Sequence, residues 1–151
     1  MDKEFSVEKL LNLTKSVDKF GEIYVLSELV RRGFDVEWHG SRERFDIKAD
    51  DYEIEVKSCN YDNNWAKNRN LIGGFDRIDP SKFDYLVCAS FNSEFKDVRC
   101  FIFTKTEVKK FDNAVWKNAV GKKMLNLVRN DKKSNKLIDA SENKWDKIIR
   151  K

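Results

Sequence analysis

The sequence predicts one α/β domain, in which N-terminal helices are followed by a mixed β-sheet that further helices flank. Its length of 151 residues fits a single domain with a core of its own. Apolar residues recur at helical spacing before residue 33, and short segments with alternating or continuous apolar residues follow. Because no repeat or linker separates the two parts, residues 1–151 are assigned to one domain.

The N-terminal part of the chain predicts two helices. Residues 6–15 have apolar side chains at helical spacing and suit a short opening helix. A second helix is expected to begin at Ser16 or Asp18, either of which can cap it, and to stop at Gly33. Glu22 shares a side of this helix with apolar residues. It is therefore expected to face inward, where a carboxylate needs a partner.

The middle of the chain predicts three strands and a loop. Residues 34–38 alternate between apolar and polar side chains and are expected to form the first strand. Residues 44–50 and 52–58 follow as a hairpin, with a tight turn at Asp50-Asp51. Residues 60–79 are rich in Asn and Gly, so a long, partly ordered loop is expected there.

The remaining chain predicts two core strands and then helices. Residues 83–91 and 98–103 are nearly continuous apolar runs, which suit strands that are covered on both faces. A helix is expected at residues 105–111, and one or two more after it, the last at residues 141–149. The side chains expected to face the core include Trp38, Trp116, Trp145, Ile148 and Ile149.

The predicted hairpin gathers charged side chains on one face of the sheet. Alternation along its second strand puts Glu55 and Lys57 on one side and Ile54 and Val56 on the other. Folding the hairpin brings Asp46 beside Glu55 and Lys57. Such a cluster is costly to hold together, and a divalent cation with oxygen ligands would stabilise it. The alternative is an ordinary solvated face.

Composition and charge indicate an intracellular, cytoplasmic protein that binds a polyanion. The formal net charge is +4, and basic residues dominate after residue 105. The odd number of cysteines, Cys59, Cys88 and Cys100, favours free thiols in a reducing compartment. The sequence has neither a membrane-spanning stretch nor a signal peptide, so no membrane partner is expected.

Several enzyme classes are excluded by what the sequence lacks. It has no phosphate-binding loop of the GxxxxGK[ST] type, so no nucleoside triphosphate is expected as a partner. A serine or cysteine hydrolase would have to use His39 as its base, because it is the only histidine of the sequence. His39 is interpreted as structural. An acidic residue two positions before a lysine recurs six times, so only the strand context distinguishes the copy at Glu55.

The hairpin cluster resembles the PD-(D/E)xK nuclease superfamily. The matching residues are Phe45-Asp46, a gap of eight residues, and then Glu55-Val56-Lys57. Gly21-Glu22 stands where the family often has a glutamate on a preceding helix. The resemblance covers residues 20–103, and the departure from the pattern is that Phe45 replaces the proline of the family name. It implies a restriction-endonuclease-like core.

The resemblance also implies roles for these residues in hydrolysing a phosphodiester. Asp46, Glu55 and the carbonyl of Val56 would bind Mg²⁺, for which Mn²⁺ would substitute. Lys57 would orient the attacking water and offset negative charge in the transition state, unless it is only an ion-pair partner. Glu22 would position a metal-bound water or Lys57.

Double-stranded DNA is the expected partner of such a site. Trp65 is expected either to stack on a base or, preferably, to anchor the segment around it. A duplex has two strands, so a homodimer or higher homo-oligomer is expected. The residues expected to contact nucleic acid are Arg42, Arg44, Asn64, Lys67 and Arg69.

The subfamily stays open at this point. The spacing is similar to small Holliday-junction resolvases, small type II restriction enzymes and homing endonucleases of the same core. The segment after the hairpin and the lysine-rich C-terminal third favour a site-specific endonuclease. The alternatives are a non-catalytic nucleic-acid-binding module of the same fold and an interaction protein in which the hairpin charges are incidental.

Overall fold

The computed structural model describes residues 16–39, 45–111, 116–119 and 122–150. The opening helix predicted at residues 6–15 lies outside these ranges, as do Arg42 and Arg44. No helix of the described ranges is long and apolar enough to cross a membrane.

Helix α1, Val17–Arg31, is the predicted second helix. Its N-cap is Ser16, whose hydroxyl accepts a hydrogen bond from the Lys19 backbone amide. Beyond the helix Gly33 has a φ of +90°, a conformation that suits glycine. Both predicted ends of this helix are therefore close to the observed ones.

The central sheet has five strands in the order β1-β2-β3-β5-β6. Strands β3 and β5 are parallel, and each other neighbouring pair is antiparallel. Two strands are shorter than predicted, because residues 34–35 and 45–46 do not pair as strand. The strands are β1 (Val36–Trp38), β2 (Ile47–Ala49), β3 (Tyr52–Asn60), β5 (Tyr85–Phe91) and β6 (Arg99–Thr104).

The β2–β3 hairpin has the predicted tight turn. Asp50 and Asp51 have φ values of +47° and +73°, as a two-residue hairpin turn requires. Its register pairs Ala49 with Tyr52 and Ile47 with Ile54.

A second sheet of three antiparallel strands is the main departure from the prediction. Helix α2 (Asn64–Asn68) and strand β4 (Leu71–Ile78) replace the loop predicted at residues 60–79. Strands β7 (Trp116–Ala119) and β8 (Lys122–Val128) lie where only helices were predicted. The order of this sheet is β4-β8-β7.

Two helices complete the described fold. Helix α3, Lys105–Lys109, has the capping box that Thr104 makes with Glu107, and α4 is Lys132–Ser141. The helix predicted at residues 141–149 is wrong, since only a 3₁₀ turn, Trp145–Lys147, forms there. Trp145 and Ile148 are buried as predicted, whereas Ile149 is 68% exposed.

The core is divided by the central sheet into two clusters. One lies on the side of α1 and includes Val25, Ile54 and Val56. The other lies on the side of β4 and β8 and includes Cys59 and Phe75. Strand β5 is buried from Leu86 to Phe91 because both of its faces are covered.

Candidate active site

Asp46 lies where strands β2 and β3 stop pairing. The last pair of that ladder is Ile47 with Ile54. Beyond it, the Asp46 backbone amide donates to the Ile54 carbonyl at 3.0 Å, and the Val56 amide donates to the Asp46 carboxylate Oδ2 at 2.8 Å. The Asp46 side chain thus accepts the hydrogen bond that a neighbouring strand would otherwise accept, and this bond holds the carboxylate against β3.

Glu55 and Lys57 project from β3 on the side away from α1. The residues that alternate with them along the strand, Ile54 and Val56, are buried in the cluster that contains α1. The Lys57 ammonium Nζ is 3.9 Å from the Glu55 carboxylate Oε1, and their side chains are 22% and 17% exposed. The structure therefore places Asp46, Glu55 and Lys57 close together, as predicted.

Burial and Asp46 together raise the pKa of Glu55 to about 8. Burial penalises the charged form most strongly, and a hydrogen bond to Asp46 and its negative charge act in the same direction. The Lys57 ammonium opposes them without cancelling them. At neutral pH and without a cation, the two carboxyl groups of Asp46 and Glu55 therefore favour sharing one proton.

Glu22 is brought to this cluster by a close contact between α1 and β3. A Cβ at Gly21 would overlap the Ser58 hydroxyl and lie 3.0 Å from the Ser58 Cβ, so only glycine permits this approach. The Ser58 hydroxyl is buried, and no partner accepts or donates a hydrogen bond to it within the described part of the chain. The contact places the neighbouring Glu22 close enough to Asp46 for their charges to interact.

The inward-facing Glu22 carboxylate has partners of its own. It is 5% exposed, accepts a hydrogen bond from the Trp38 indole Nε1 at 3.1 Å, and lies 3.5 Å from the Lys19 ammonium. Burial, followed by the negative charge of Asp46, raises its pKa above the usual value. The partners Trp38 and Lys19 were not predicted, although Lys19 lies three residues before Glu22 on the helix.

The donor set of this cluster fits a hard divalent cation. Asp46 and Glu55 supply carboxylate oxygens, and Val56 supplies a backbone carbonyl between Glu55 and Lys57. Within the ranges that the structure describes, no group of three or more His, Cys, Asp or Glu side chains is suited to hold a metal ion. Such a cation would keep several water ligands, which is typical of Mg²⁺ rather than of a structural zinc ion.

The residues predicted to contact nucleic acid lie on α2 and just after it. Asn64, Lys67 and Arg69 are all exposed. The Trp65 ring packs on Gly74, where a Cβ would be 2.6 Å from it, and the Arg69 guanidinium lies 4.9 Å from the Trp65 ring centroid. Trp65 therefore has the anchoring contact that was the preferred prediction, and 37% of its surface stays exposed.

Helix α2 flanks the face of β3 that carries Lys57. The Gly74 amide, beneath Trp65, is 3.3 Å from the Cys59 sulfur. Cys59 follows Lys57 by two residues and belongs to the same side of the sheet. Trp65 of α2 is therefore connected through Gly74 to the side of the sheet to which Lys57 belongs.

His39 holds Asp46 through its backbone, since the His39 amide donates to the Asp46 carbonyl at 2.8 Å. His39 packs against Phe45 with a ring distance of 4.9 Å, and its Nε2 lies 3.3 Å from Glu37. These contacts match the structural interpretation of this histidine.

No known protein family and no curated protein matches the sequence. Among solved structures, the chain is similar to that of a bacterial homing endonuclease, I-Ssp6803I. The TM-score is 0.59, with 15% sequence identity, over 90% of this chain and 93% of the other. At this identity the likeness shows a shared fold. It confirms the predicted α/β class with a mixed sheet and flanking helices, whereas membership of the PD-(D/E)xK superfamily stays a prediction.

Proposed function

We propose that this chain is a Mg²⁺-dependent DNA endonuclease that hydrolyses phosphodiester bonds. The observation that carries the proposal is the meeting of the Asp46 and Glu55 carboxyl groups, with Lys57 3.9 Å from Glu55, where two strands separate. The two carboxyl groups are so close that they favour holding a proton, and a divalent cation in place of that proton would stabilise the site. The likeness to a homing endonuclease is consistent with this chemistry.

Each side chain has a distinct task in the proposed reaction. Asp46 and Glu55, with the Val56 carbonyl, hold the cation, which when bound polarises the phosphate and lowers the pKa of a water. Lys57 places its ammonium beside the reacting phosphate and offsets the negative charge that develops there. Glu22, held by Trp38, orients water or Lys57 from the other side of Asp46.

We further propose that cleavage is site-specific and that the active form is a homodimer or larger homo-oligomer. The chain matches a homing endonuclease over nearly its whole length, and that protein has a comparable size, which favours this type over a minimal resolvase. Each chain has one cluster, whereas a duplex has two strands, so two copies are needed for double cleavage. Sedimentation of the protein with and without DNA tests the oligomeric state.

The test is cleavage of a DNA panel with Mg²⁺ or Mn²⁺. The panel contains long natural duplexes, four-way junctions and single strands. We expect Asp46→Asn and Lys57→Ala to lower the cleavage rate at least about 100-fold, as losing a metal ligand or a charge-stabilising group does. A chelator should abolish cleavage by the wild type.

Matched variants separate loss of chemistry from loss of charge. Asp51→Asn removes a carboxylate that is 76% exposed, and Lys96→Ala removes an ammonium that is 71% exposed. Both should cleave at the wild-type rate. Cleavage that survives Asp46→Asn would refute the site, and DNA binding without cleavage of any substrate would favour the non-catalytic module.

A further inference from the structure

A cavity of about 370 Å³ lies at the end of the central sheet, apart from the candidate active site. Its size is at the lower end of the range of ligand pockets, about 300–1,000 Å³. It opens where β3 ends, where β4 and β6 begin, and beside the turn after β8. The lining residues are Tyr61, Ile72, Asp97, Val98, Arg99 and Arg129.

The cavity offers one uncommitted positive charge. Arg129 is exposed, and its guanidinium lies 5.7 Å from the centroid of the Tyr61 ring. No carboxylate of the described chain pairs with it. Arg99, which also lines the cavity, is instead neutralised by Glu142, to which its Nε and Nη2 atoms donate at 2.8 and 2.9 Å. The acidic wall residue Asp97 accepts a hydrogen bond from Asn92.

The backbone around Arg129 is held in place. Its amide donates to the Asn70 carbonyl at 2.9 Å, and the Asn70 side-chain amide donates to the Arg129 carbonyl at 3.4 Å. These bonds join the turn after β8 to the residue that follows Arg69. Arg129 is therefore joined to the segment that follows α2, next to the exposed Arg69 and close in sequence to the exposed Lys67.

The opposite end of β3 has the opposite charge. A second cavity, of about 260 Å³, lies at the tip of the hairpin and is lined by Lys48 and four carboxylates. A polyanion is repelled there and attracted towards α2 and Arg129. The carboxylates are those of Asp35, Glu37, Asp50 and Asp51.

We infer that the cavity lined by Tyr61 and Arg129 binds a nucleotide of the cleaved DNA strand at a distance from the scissile bond, with its phosphate on Arg129 and its sugar or base against Tyr61. This inference rests on the proposed function. From Glu55 to Asn60 the strand spans about 17 Å at about 3.4 Å per residue. One DNA strand covers that length in about five nucleotides, so the cavity contacts DNA about five nucleotides from the scissile phosphate.

The test measures DNA affinity without cleavage, in the Asp46→Asn background and with a chelator present. A labelled duplex of about 30 base pairs is titrated at several salt concentrations. We expect Arg129→Ala to lower the affinity about tenfold and to reduce the slope of log affinity against log salt by about one. Arg129→Lys should keep the slope and lose part of the affinity. Tyr61→Leu should lower the affinity, and Tyr61→Phe should retain it.

A matched control is Arg31→Ala, which removes an arginine that is 74% exposed on α1, at the other face of the sheet. It should bind DNA as the background protein does. If Arg129→Ala has wild-type affinity and slope, the inference is overturned. It is equally overturned if Arg129→Ala changes only the oligomeric state in sedimentation, because the cavity is then an interface between copies. If Asp46→Asn cleaves DNA, the proposed active site is refuted. The affinities of the Arg129 and Tyr61 variants would still test whether the cavity binds DNA.

Discussion

At the scale of single residues, the cluster of Asp46, Glu55 and Glu22 at the candidate active site is unstable when all three carboxyl groups are ionised. Asp46 and Glu55 share one hydrogen bond, and Glu22 adds a third negative charge nearby. Lys57 and Lys19 only partly balance these charges. Either a proton or a cation must therefore accompany the two carboxyl groups of Asp46 and Glu55.

The proton on Glu55 predicts that the metal-free protein loses stability as the pH rises. The pKa of Glu55 is near 4.5 when unfolded and about 8 when folded, so the folded state binds more protons between these values. The free energy of unfolding should fall in that window by at most about 1.4 kcal/mol per pH unit. Urea unfolding between pH 5 and pH 8 with a chelator measures it.

The matched variant for this experiment is Glu55→Gln, which can still donate a hydrogen bond to Asp46 but does not titrate. The difference between its unfolding free energy and that of the wild type should grow from pH 5 to pH 8. Equal pH profiles for the two proteins would contradict the raised pKa of Glu55.

The stabilisation by added metal should instead increase with pH. A cation bound to Asp46 and Glu55 replaces the proton, so Mg²⁺ or Mn²⁺ should raise the melting temperature, and more at pH 8 than at pH 5. Asp46→Asn should abolish most of this rise, and Asp51→Asn should keep it. A rise of the same size in Asp46→Asn would place the metal elsewhere.

The sequence predicts some of these residues better than others. Asp46, Glu55 and Lys57 could be placed together because alternation and a two-residue turn determine which side chains of a hairpin are neighbours. The Trp38 bond to Glu22 could not, because it depends on how closely α1 approaches the sheet. Trp38 was expected only as a core residue.

At the scale of elements, the contact between Gly21 and Ser58 sets the distance between α1 and β3. We expect Gly21→Ala to reduce the free energy of unfolding by about 1–3 kcal/mol, as overpacking does. Ser58→Ala removes a buried hydroxyl that has no partner in the described chain, and should be neutral or stabilising. Urea unfolding of both single variants and the double variant measures the coupling.

The double variant identifies the contact. Because Ser58→Ala removes the atom that a Cβ at Gly21 would overlap, the loss in the double variant should be smaller than the sum of the single effects. Strict additivity would show that the destabilisation arises from another part of the packing around Gly21, since alanine itself has the higher helix propensity.

The second sheet was not predicted because its strands have unusual sequences. In β4, Gly73 and Gly74 favour a loop by composition, yet Gly74 is needed to accommodate the Trp65 ring. In β8, Leu125 and Leu127 are buried on either side of the polar Asn126, so the sequence does contain the alternation that is typical of a strand. The prediction nevertheless assigned this part of the chain to helices. Tertiary contacts between these strands decided the structure.

At the scale of the whole molecule, the three free cysteines report on both faces of the central sheet. Cys59 and Cys88 belong to the cluster beneath β4, and Cys100 belongs to the cluster beneath α1. Burial raises the pKa of all three thiols, that of Cys100 to about 12. None of them should act as an accessible nucleophile in the native protein.

Thiol labelling should therefore follow global unfolding. In native buffer at pH 8 we expect no fast reaction with a disulfide reagent, and three reactive thiols in concentrated urea. The labelling rates of the three sites, resolved by mass spectrometry, should rise together with urea. Earlier labelling of Cys59 alone would show that the second sheet opens independently of the central one.

The hydrogen bonds that hold Asp46 make the geometry of the candidate active site independent of the length of the adjacent turn. Asp46 is hydrogen-bonded to Ile54 and Val56 on β3 and accepts a hydrogen bond from the His39 backbone amide, and none of these bonds involves the turn at Asp50-Asp51. Residues added within that turn would lengthen the gap between Asp46 and Glu55 and leave both carboxyl groups in place. A one-residue slip of the strand pairing would turn Asp46 to the other face. Relatives of this protein should therefore conserve the pairing of these strands while the number of residues between the two acids varies.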